Sequence, residues 1–216
     1  MPTVLITGAN RGIGLEFARQ YCQAGWNVVA TVREPTDELG SICTQVESLD
    51  MLDLEAIAGF GERIDALDLL IANAGTYGPK TVTSAEEAEG WSGTFTVNAI
   101  APFLLAQAVL PQLRAASGKA VAISTRMGSI EDNDSGGFIA YRTAKAALNM
   151  AWRSLAVDSG VTCAVLHPGW VKTRMGGAGA PLGTEESVTG MRQVIERLTS
   201  EQSGGFFGHD GAPIPW

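Results

Sequence analysis

Charged side chains are scarce in this chain: Asp, Glu, Lys and Arg make up 18% of its 216 residues, against 45% for the apolar ones. So low a charge content excludes a solvated, disordered polymer and implies a compact globule with much of its backbone enclosed. A basic excess is missing too. The formal charge is −8, which argues against a broad phosphate-binding surface for nucleic acid. No window approaches the roughly 18 apolar residues that a membrane span needs. The opening "MPTVLITG" has no basic stretch ahead of a long apolar run. A soluble, cytoplasmic protein is therefore expected, with neither membrane nor nucleic acid as a partner. Cysteine is sparse as well: Cys22, Cys43 and Cys163 are odd in number, widely spaced and set among apolar neighbours. They read as buried, reduced thiols of a reducing cytosol, metal or redox work being the other reading. No metal site is expected. Repeats, charge blocks and low-complexity linkers are also absent, and the length suits a unit that buries roughly 70% of its unfolded surface.

What the chain does have is a regular alternation of short β-branched runs with longer segments of helical spacing. "TVLIT" (3–7), "NVVATV" (27–32), "LDLLIA" (67–72), "KAVAIS" (119–124) and "VTCAVL" (161–166) are strand candidates. They are almost continuously apolar, as strands covered on both faces are. Segments 12–24, 53–64, 91–116, 139–158 and 184–198 carry helical spacing. Strand and helix in alternation imply α/β architecture: a doubly wound, Rossmann-type parallel sheet with helices on both faces, forming a single domain over 1–216. The Gly-rich "MGGAGAPLG" (175–183) reads as a surface loop, placing a short substrate loop near 174–186. Ligands in such sheets gather at the carboxyl ends of the strands.

The first such end is "TGANRGIGLE", a glycine turn that opens a helix. Glycines there let the backbone approach a pyrophosphate, and the helix N-terminus supplies free N–H groups and a partial positive charge. The turn residues Gly8, Asn10, Arg11, Gly12, Ile13 and Gly14 are assigned to a dinucleotide. Their spacing, G-x-x-x-G-x-G, differs from the G-x-G-x-x-G of the ordinary Rossmann fingerprint. After the second strand, where an acid would bind the ribose of NAD, stand Val32 and then Arg33. With Arg11, two guanidinium groups could reach a 2′-phosphate, so NADP(H) is favoured. NAD(H) stays possible if Glu34 supplies the acid and both arginines merely face solvent.

"YRTAK" (141–145) stacks Tyr141 and Lys145 on one helix face. A tyrosine of ordinary pKa near 10 is a poor proton donor at neutral pH, and a nearby ammonium is expected to lower that value. The pair gains weight from the glycine turn. By itself the spacing also occurs on solvated helix faces.

With both motifs in view, the chain resembles the short-chain dehydrogenase/reductase family along its entire length. "TGANRGIG", "NAG" (73–75), "VNAIAPF" (97–103), "YRTAK" and "HPGWVKT" (167–173) stand in the family's order. "TRMGSIEDNDSGG", "HPGWVKTRMGG" and "DGAPIPW" are similar to the C-factor and sniffer-type carbonyl reductase branch.

The resemblance implies that Gly8, Gly12 and Gly14 hold the diphosphate, that Asp50 sits beside the adenine, and that Asn73, Ala74 and Gly75 lie along the cofactor. Asn98 would hold a water against the lysine. Tyr141 would be the acid/base, and Lys145 would bind the nicotinamide ribose. Pro168, Gly169, Val171 and Thr173 would clasp the carboxamide. The implied activity is NADPH-dependent reduction of a small-molecule carbonyl compound. An NADP(H)-binding signalling role of C-factor type and an NAD-linked alcohol oxidation stand beside it. The family also pairs the helices at 91–116 and 139–158 across a two-fold axis, so a homodimer or higher homo-oligomer is expected.

"ISTRMGS" (123–129) poses a question of its own. The family's substrate-binding serine falls in register with Thr125, which would be the first residue beyond the strand and keeps the hydroxyl. Ser124 would point into packing or cap the loop. The other reading has Ser124 or Ser129 substitute for an inert Thr125. His167 reads as structural despite abutting the nicotinamide loop, and Trp170 is the tryptophan expected to face a ligand.

Overall fold

The computed structural model describes residues 1–216. Seven parallel strands form one sheet in the order β3-β2-β1-β4-β5-β6-β7. They are β1 (Thr3–Thr7), β2 (Asn27–Val32), β3 (Gln45–Ser48), β4 (Leu69–Ala72), β5 (Lys119–Ile123), β6 (Thr162–His167) and β7 (Gly205–Gly208). The helices are α1 (Gly12–Gln23), α2 (Asp37–Ile42), α3 (Leu54–Ala58), α4 (Ala85–Phe95), α5 (Ala101–Ala108), α6 (Leu110–Ala115), α7 (Ile139–Ser159) and α8 (Thr184–Arg197). The doubly wound, single-domain architecture is the expected one.

Strand alternation divides the core in two. Leu5, Leu70, Ala120, Ala122 and Val165 point to one face, where Leu105, Leu148 and Trp152 cover them. Val4, Ile6, Ile71, Val121 and Leu166 point to the other, under Phe17, Val188 and Met191. Burial on both faces is why the inner strands are apolar at nearly every position. The strand order reverses between β1 and β4, so their carboxyl ends open the crevice in which such sheets bind ligands.

The structure adds two edge-side strands that hydropathy does not mark. β3 reads "QVES" and none of its residues is fully buried. β7 reads "GFFG", too short and glycine-bounded to show a period. The helical segment 91–116 is not one helix. α4 begins earlier, at Ala85, under a capping box between Ser84 and Glu87. It then passes through a π-helical turn, Thr96–Ile100, into α5 and α6. The segment 53–64 is likewise shorter in its α part, α3 being followed by a 3-10 turn, Phe60–Arg63.

Candidate active site

The residues assigned from the sequence lie in the turns and loops beyond the carboxyl ends of the strands, on α7 (Tyr141, Lys145) or, for Asn98, in the π-helical turn before α5. The glycine turn follows β1, with Gly8 at φ +68° and Gly12 at φ +55°, the left-handed region that glycine adopts without strain. Arg11 caps α1 with no side-chain hydrogen bond, which leaves the first-turn N–H groups directed at the crevice. A Cβ on Gly14 would fall on the Gly8 carbonyl oxygen and 2.5 Å from Asn73 Nδ2, so this glycine lets α1 approach the end of β1. A Cβ on Gly12 would lie 3.3 Å from the Thr173 methyl group. The turn after β1 and the loop after β6 therefore face each other across the crevice. This glycine-lined cradle with open N–H groups fits the diphosphate of a dinucleotide.

Asn73 braces the switch point. Its Nδ2 donates to Thr7 O (2.9 Å) and Gly8 O (3.2 Å), while the backbone N–H groups of Asn73 and Ala74 both donate to Thr7 Oγ1 at 3.0 Å. Thr7, 1% exposed, is thus the hub that joins β1 to β4. The sequence reading passed over it, although its hydroxyl stands immediately before the glycine turn. Arg33 lies just beyond β2, exposed, and like Arg11 has no carboxylate partner. Asp50 follows β3, exposed, its Oδ1 accepting from the Leu52 N–H. After β6, the Pro168 carbonyl accepts from Ser187 Oγ (2.6 Å), Val171 bridges Leu182, and Thr173 Oγ1 accepts from the Gly176 N–H (2.9 Å). The short loop that follows is thereby tied down at both ends. Trp170 is 59% exposed at its rim.

Asn98, fully buried, occupies the π-helical turn. The α-helical donor to its carbonyl would be the N–H of the residue four positions on, which is Pro102 and has none. The side chain pairs reciprocally with Thr76, accepting its N–H (2.9 Å) and donating to its carbonyl (2.7 Å). A Cβ on Gly75 would stand 3.2 Å from Asn98 Oδ1 and 3.7 Å from Lys145 Nζ. The glycine keeps open the space between the two polar groups.

Lys145 donates to the Ile123 carbonyl at 2.7 Å and sits 6.0 Å from the centroid of the Tyr141 ring. Burial lowers its pKa to about 8. Tyr141, 8% exposed, is displaced the other way: burial, and then the neighbouring Tyr77 phenol, raise it above the ordinary value. The expected lowering by the ammonium does not appear in this arrangement. Desolvation dominates, and the lysine ammonium is engaged by the Ile123 carbonyl. The phenol therefore keeps its proton at neutral pH.

Strand parity decides the geometry of "ISTRMGS". Ser124 continues the face of Ala120 and Ala122, is 2% exposed, and donates to Asn149 Oδ1 of α7 at 2.7 Å. Thr125 lies past the strand, half-buried, its Oγ1 accepting the Met127 N–H at 3.2 Å with its own proton uncommitted. Ser129 is also buried and bonded, to the Trp216 carbonyl. Arg142, beside Tyr141, fastens the loop before α7 by donating to Gly136 O, Gly137 O, Met127 O and Ser135 Oγ. His167 Nδ1 is buried without a partner, and burial lowers its pKa to about 4.

An open parallel sheet with a glycine cradle at its switch point and a buried Asn-Tyr-Lys cluster beside it defines a dinucleotide-type oxidoreductase site. Residues 2–180 match the family described as short chain dehydrogenase. The chain belongs to that family. Among curated relatives, "C-signal" of Myxococcus xanthus is 44% identical over 154 residues, 69% of this chain and 93% of its own length. Among solved structures, the carbonyl reductase Sniffer of D. melanogaster superimposes with a TM-score of 0.90 at 32% identity, all of both chains being covered. The NADPH-bound carbonyl reductase from chicken fatty liver gives 0.89 at 35% identity, over 100% of this chain and 99% of its own. The C-factor and sniffer-type resemblance seen in the sequence agrees with these matches. No helix is long and apolar enough to cross a membrane.

Proposed function

We propose that the protein is an NADPH-dependent carbonyl reductase acting in the cytoplasm on small-molecule substrates. The observation that carries this reading is the buried Tyr141 with Lys145 Nζ 6.0 Å from its ring centroid and Asn98 across Gly75 from that lysine, at the same end of the sheet as the glycine cradle and Thr125. NADPH held in the cradle would supply the hydride for carbonyl reduction. Tyr141 hands its proton to the oxygen as charge develops there, a general-acid step; burial keeps the phenol protonated until then but makes it a weaker acid than an exposed tyrosine. The free Thr125 hydroxyl proton polarises the same oxygen. Lys145 and Asn98, with the space kept by Gly75 between them, hold a water that returns the proton to Tyr141. Gly8, Asn10, Gly12, Ile13 and Gly14 bind the diphosphate, Arg11 and Arg33 the 2′-phosphate, Asp50 the adenine, and Asn73 and Ala74 the adjoining ribose side. Pro168, Gly169, Val171 and Thr173 hold the carboxamide, and the loop from 174 to the start of α8 forms a small lid over the substrate. An open site of this kind accepts many carbonyl compounds.

Steady-state rates over a panel of aldehydes and ketones, with NADPH and then NADH, test the reading. Turnover with NADPH and its loss in Tyr141→Phe are expected. No turnover of any carbonyl compound overturns it. The likeness to a protein named "C-signal" supports a second reading, in which nucleotide binding serves signalling. Tight NADPH binding without turnover would favour that one. The exposed Ile100, Met150 and Val157 on the π-helical turn and α7 suit a homodimer interface, which sedimentation at micromolar concentration tests.

A further inference from the structure

Tyr77 has no part in the proton transfer, yet its ring meets that of Tyr141 edge to face, with centroids 4.7 Å apart and planes at 70°. Its position is imposed from both sides. Thr76 is held by the reciprocal pair of hydrogen bonds to Asn98. Gly78 is pressed against Thr94, where a Cβ would overlap the hydroxyl group and come within 2.9 Å of the Thr94 Cβ. Asn98 and Thr94 belong to the continuous α4 and π-helical segment, so one rigid element fixes the backbone on either side of Tyr77. Tyr77 remains half-buried, not sealed into the core.

Behind it stands Phe138, whose ring centroid is 5.8 Å from that of Tyr77. Phe138 is a bulky residue at φ +50°, an unfavourable conformation that persists only where its surroundings impose it. Those surroundings are visible: the Lys80 ammonium lies 5.2 Å over the Phe138 ring, and the Lys80 carbonyl accepts the Ile139 N–H at 3.3 Å. The segment after β4 is thus strapped to the first turn of α7, and two aromatic rings are held next to the proton donor.

We infer that Tyr77, backed by Phe138, is a specificity-determining residue that favours carbonyl compounds bearing an aryl or other flat conjugated group over saturated ones of equal size. The inference rests on the carbonyl reductase reading. Because the Tyr77 ring lies against that of Tyr141, a carbonyl oxygen within hydrogen-bond reach of the Tyr141 hydroxyl brings the substituent on its carbon next to Tyr77. A flat ring gains there from edge-to-face or offset contact, which a puckered saturated ring of the same size cannot make. One aromatic pair corresponds to a preference of about two- to tenfold.

The test compares benzaldehyde with cyclohexanecarbaldehyde, in kcat/KM with NADPH, for the parent protein, Tyr77→Phe and Tyr77→Leu. The parent and Tyr77→Phe are expected to prefer the aryl substrate by about two- to tenfold, and Tyr77→Leu to lose that preference while its NADPH Kd is unchanged. Equal rates for the two aldehydes in the parent, or a preference that survives Tyr77→Leu, overturns the inference. So does a Tyr77→Leu protein whose NADPH binding collapses along with the preference, since Tyr77 would then be structural. Saturation-transfer NMR with benzamide and cyclohexanecarboxamide reads the same preference without turnover. If no aldehyde is reduced but benzamide binds better and Tyr77→Leu abolishes the difference, the reductase reading falls and the aromatic wall stands. If both aldehydes turn over equally, the wall falls and the reductase reading stands.

Discussion

Replacing Gly14 with alanine separates two roles a glycine can have at the start of a helix. Gly14 lies inside α1 and its φ is not in the left-handed region, so by propensity alone alanine would stabilise the helix by about 1 kcal/mol. Packing opposes this. The new Cβ would fall on the Gly8 carbonyl oxygen and 2.5 Å from Asn73 Nδ2, where contacts with carbon settle near roughly 3.5 Å. Relief requires α1 to withdraw from the end of β1 by about 1 Å, which pulls apart the Asn73 brace to Thr7 and Gly8. Two hydrogen bonds at about 1 kcal/mol each, with about 1–3 kcal/mol of overpacking, exceed the propensity gain. The net loss expected is about 2–4 kcal/mol, accompanied by weaker NADPH binding at the displaced helix N-terminus. Gly93→Ala is the control: it lies inside α4, its Cβ would meet nothing within 4 Å, and a gain of about 0.5–1 kcal/mol is expected. Urea unfolding followed by tryptophan fluorescence, with m unchanged between variants, reads both. A Gly14→Ala protein as stable as its parent would refute the packing argument.

Thr125→Ala is expected to lower kcat/KM about 10²-fold, and Thr125→Ser to retain activity. Ser124→Ala should leave catalysis nearly intact but cost about 1–3 kcal/mol of stability, because it removes the hydroxyl donor to the buried Asn149 Oδ1. Steady-state kinetics and unfolding curves on these variants separate the roles, and a dead but stable Ser124→Ala protein would reverse the assignment. NADPH should bind more tightly than NADH, and Arg33→Ala should remove about 1–3 kcal/mol of that preference. Fluorescence titration decides it, and tighter NADH binding by the parent would refute the assignment. His167 has a folded pKa near 4, below its ordinary 6.5, so its contribution to stability is complete above pH 6.5 and is lost as pH falls through 4. At 1.36 kcal/mol per unit the loss is on the order of 3 kcal/mol. His167→Gln should flatten that part of the stability profile, and an unchanged slope would count against it.

The inner strands were legible because both of their faces are buried, which makes β1, β2, β4, β5 and β6 apolar at almost every position. β3 was not, because its side chains are only partly buried and "QVES" can stay polar. The glycine turn and the Tyr141 and Lys145 pair were legible because their chemistry depends on local spacing along one turn and one helix face. Local sequence also carried the break at Asn98: Pro102 withholds a helical N–H, yet the apolar run across 101–110 conceals it.

What the sequence by itself determined is the alternation of buried strands and helices, and the cradle that Gly8, Gly12 and Gly14 make. Each of these follows from backbone conformation and hydropathy within a few residues. Only the tertiary structure decided that Ser124 points at Asn149 while Thr125 stays free, because that depends on which face of β5 lies under α7. It likewise decided that desolvation dominates the Tyr141 phenol and that Tyr77 lies against it, since burial and contact between residues 64 positions apart are set by the packing of α4 and α7 against the sheet.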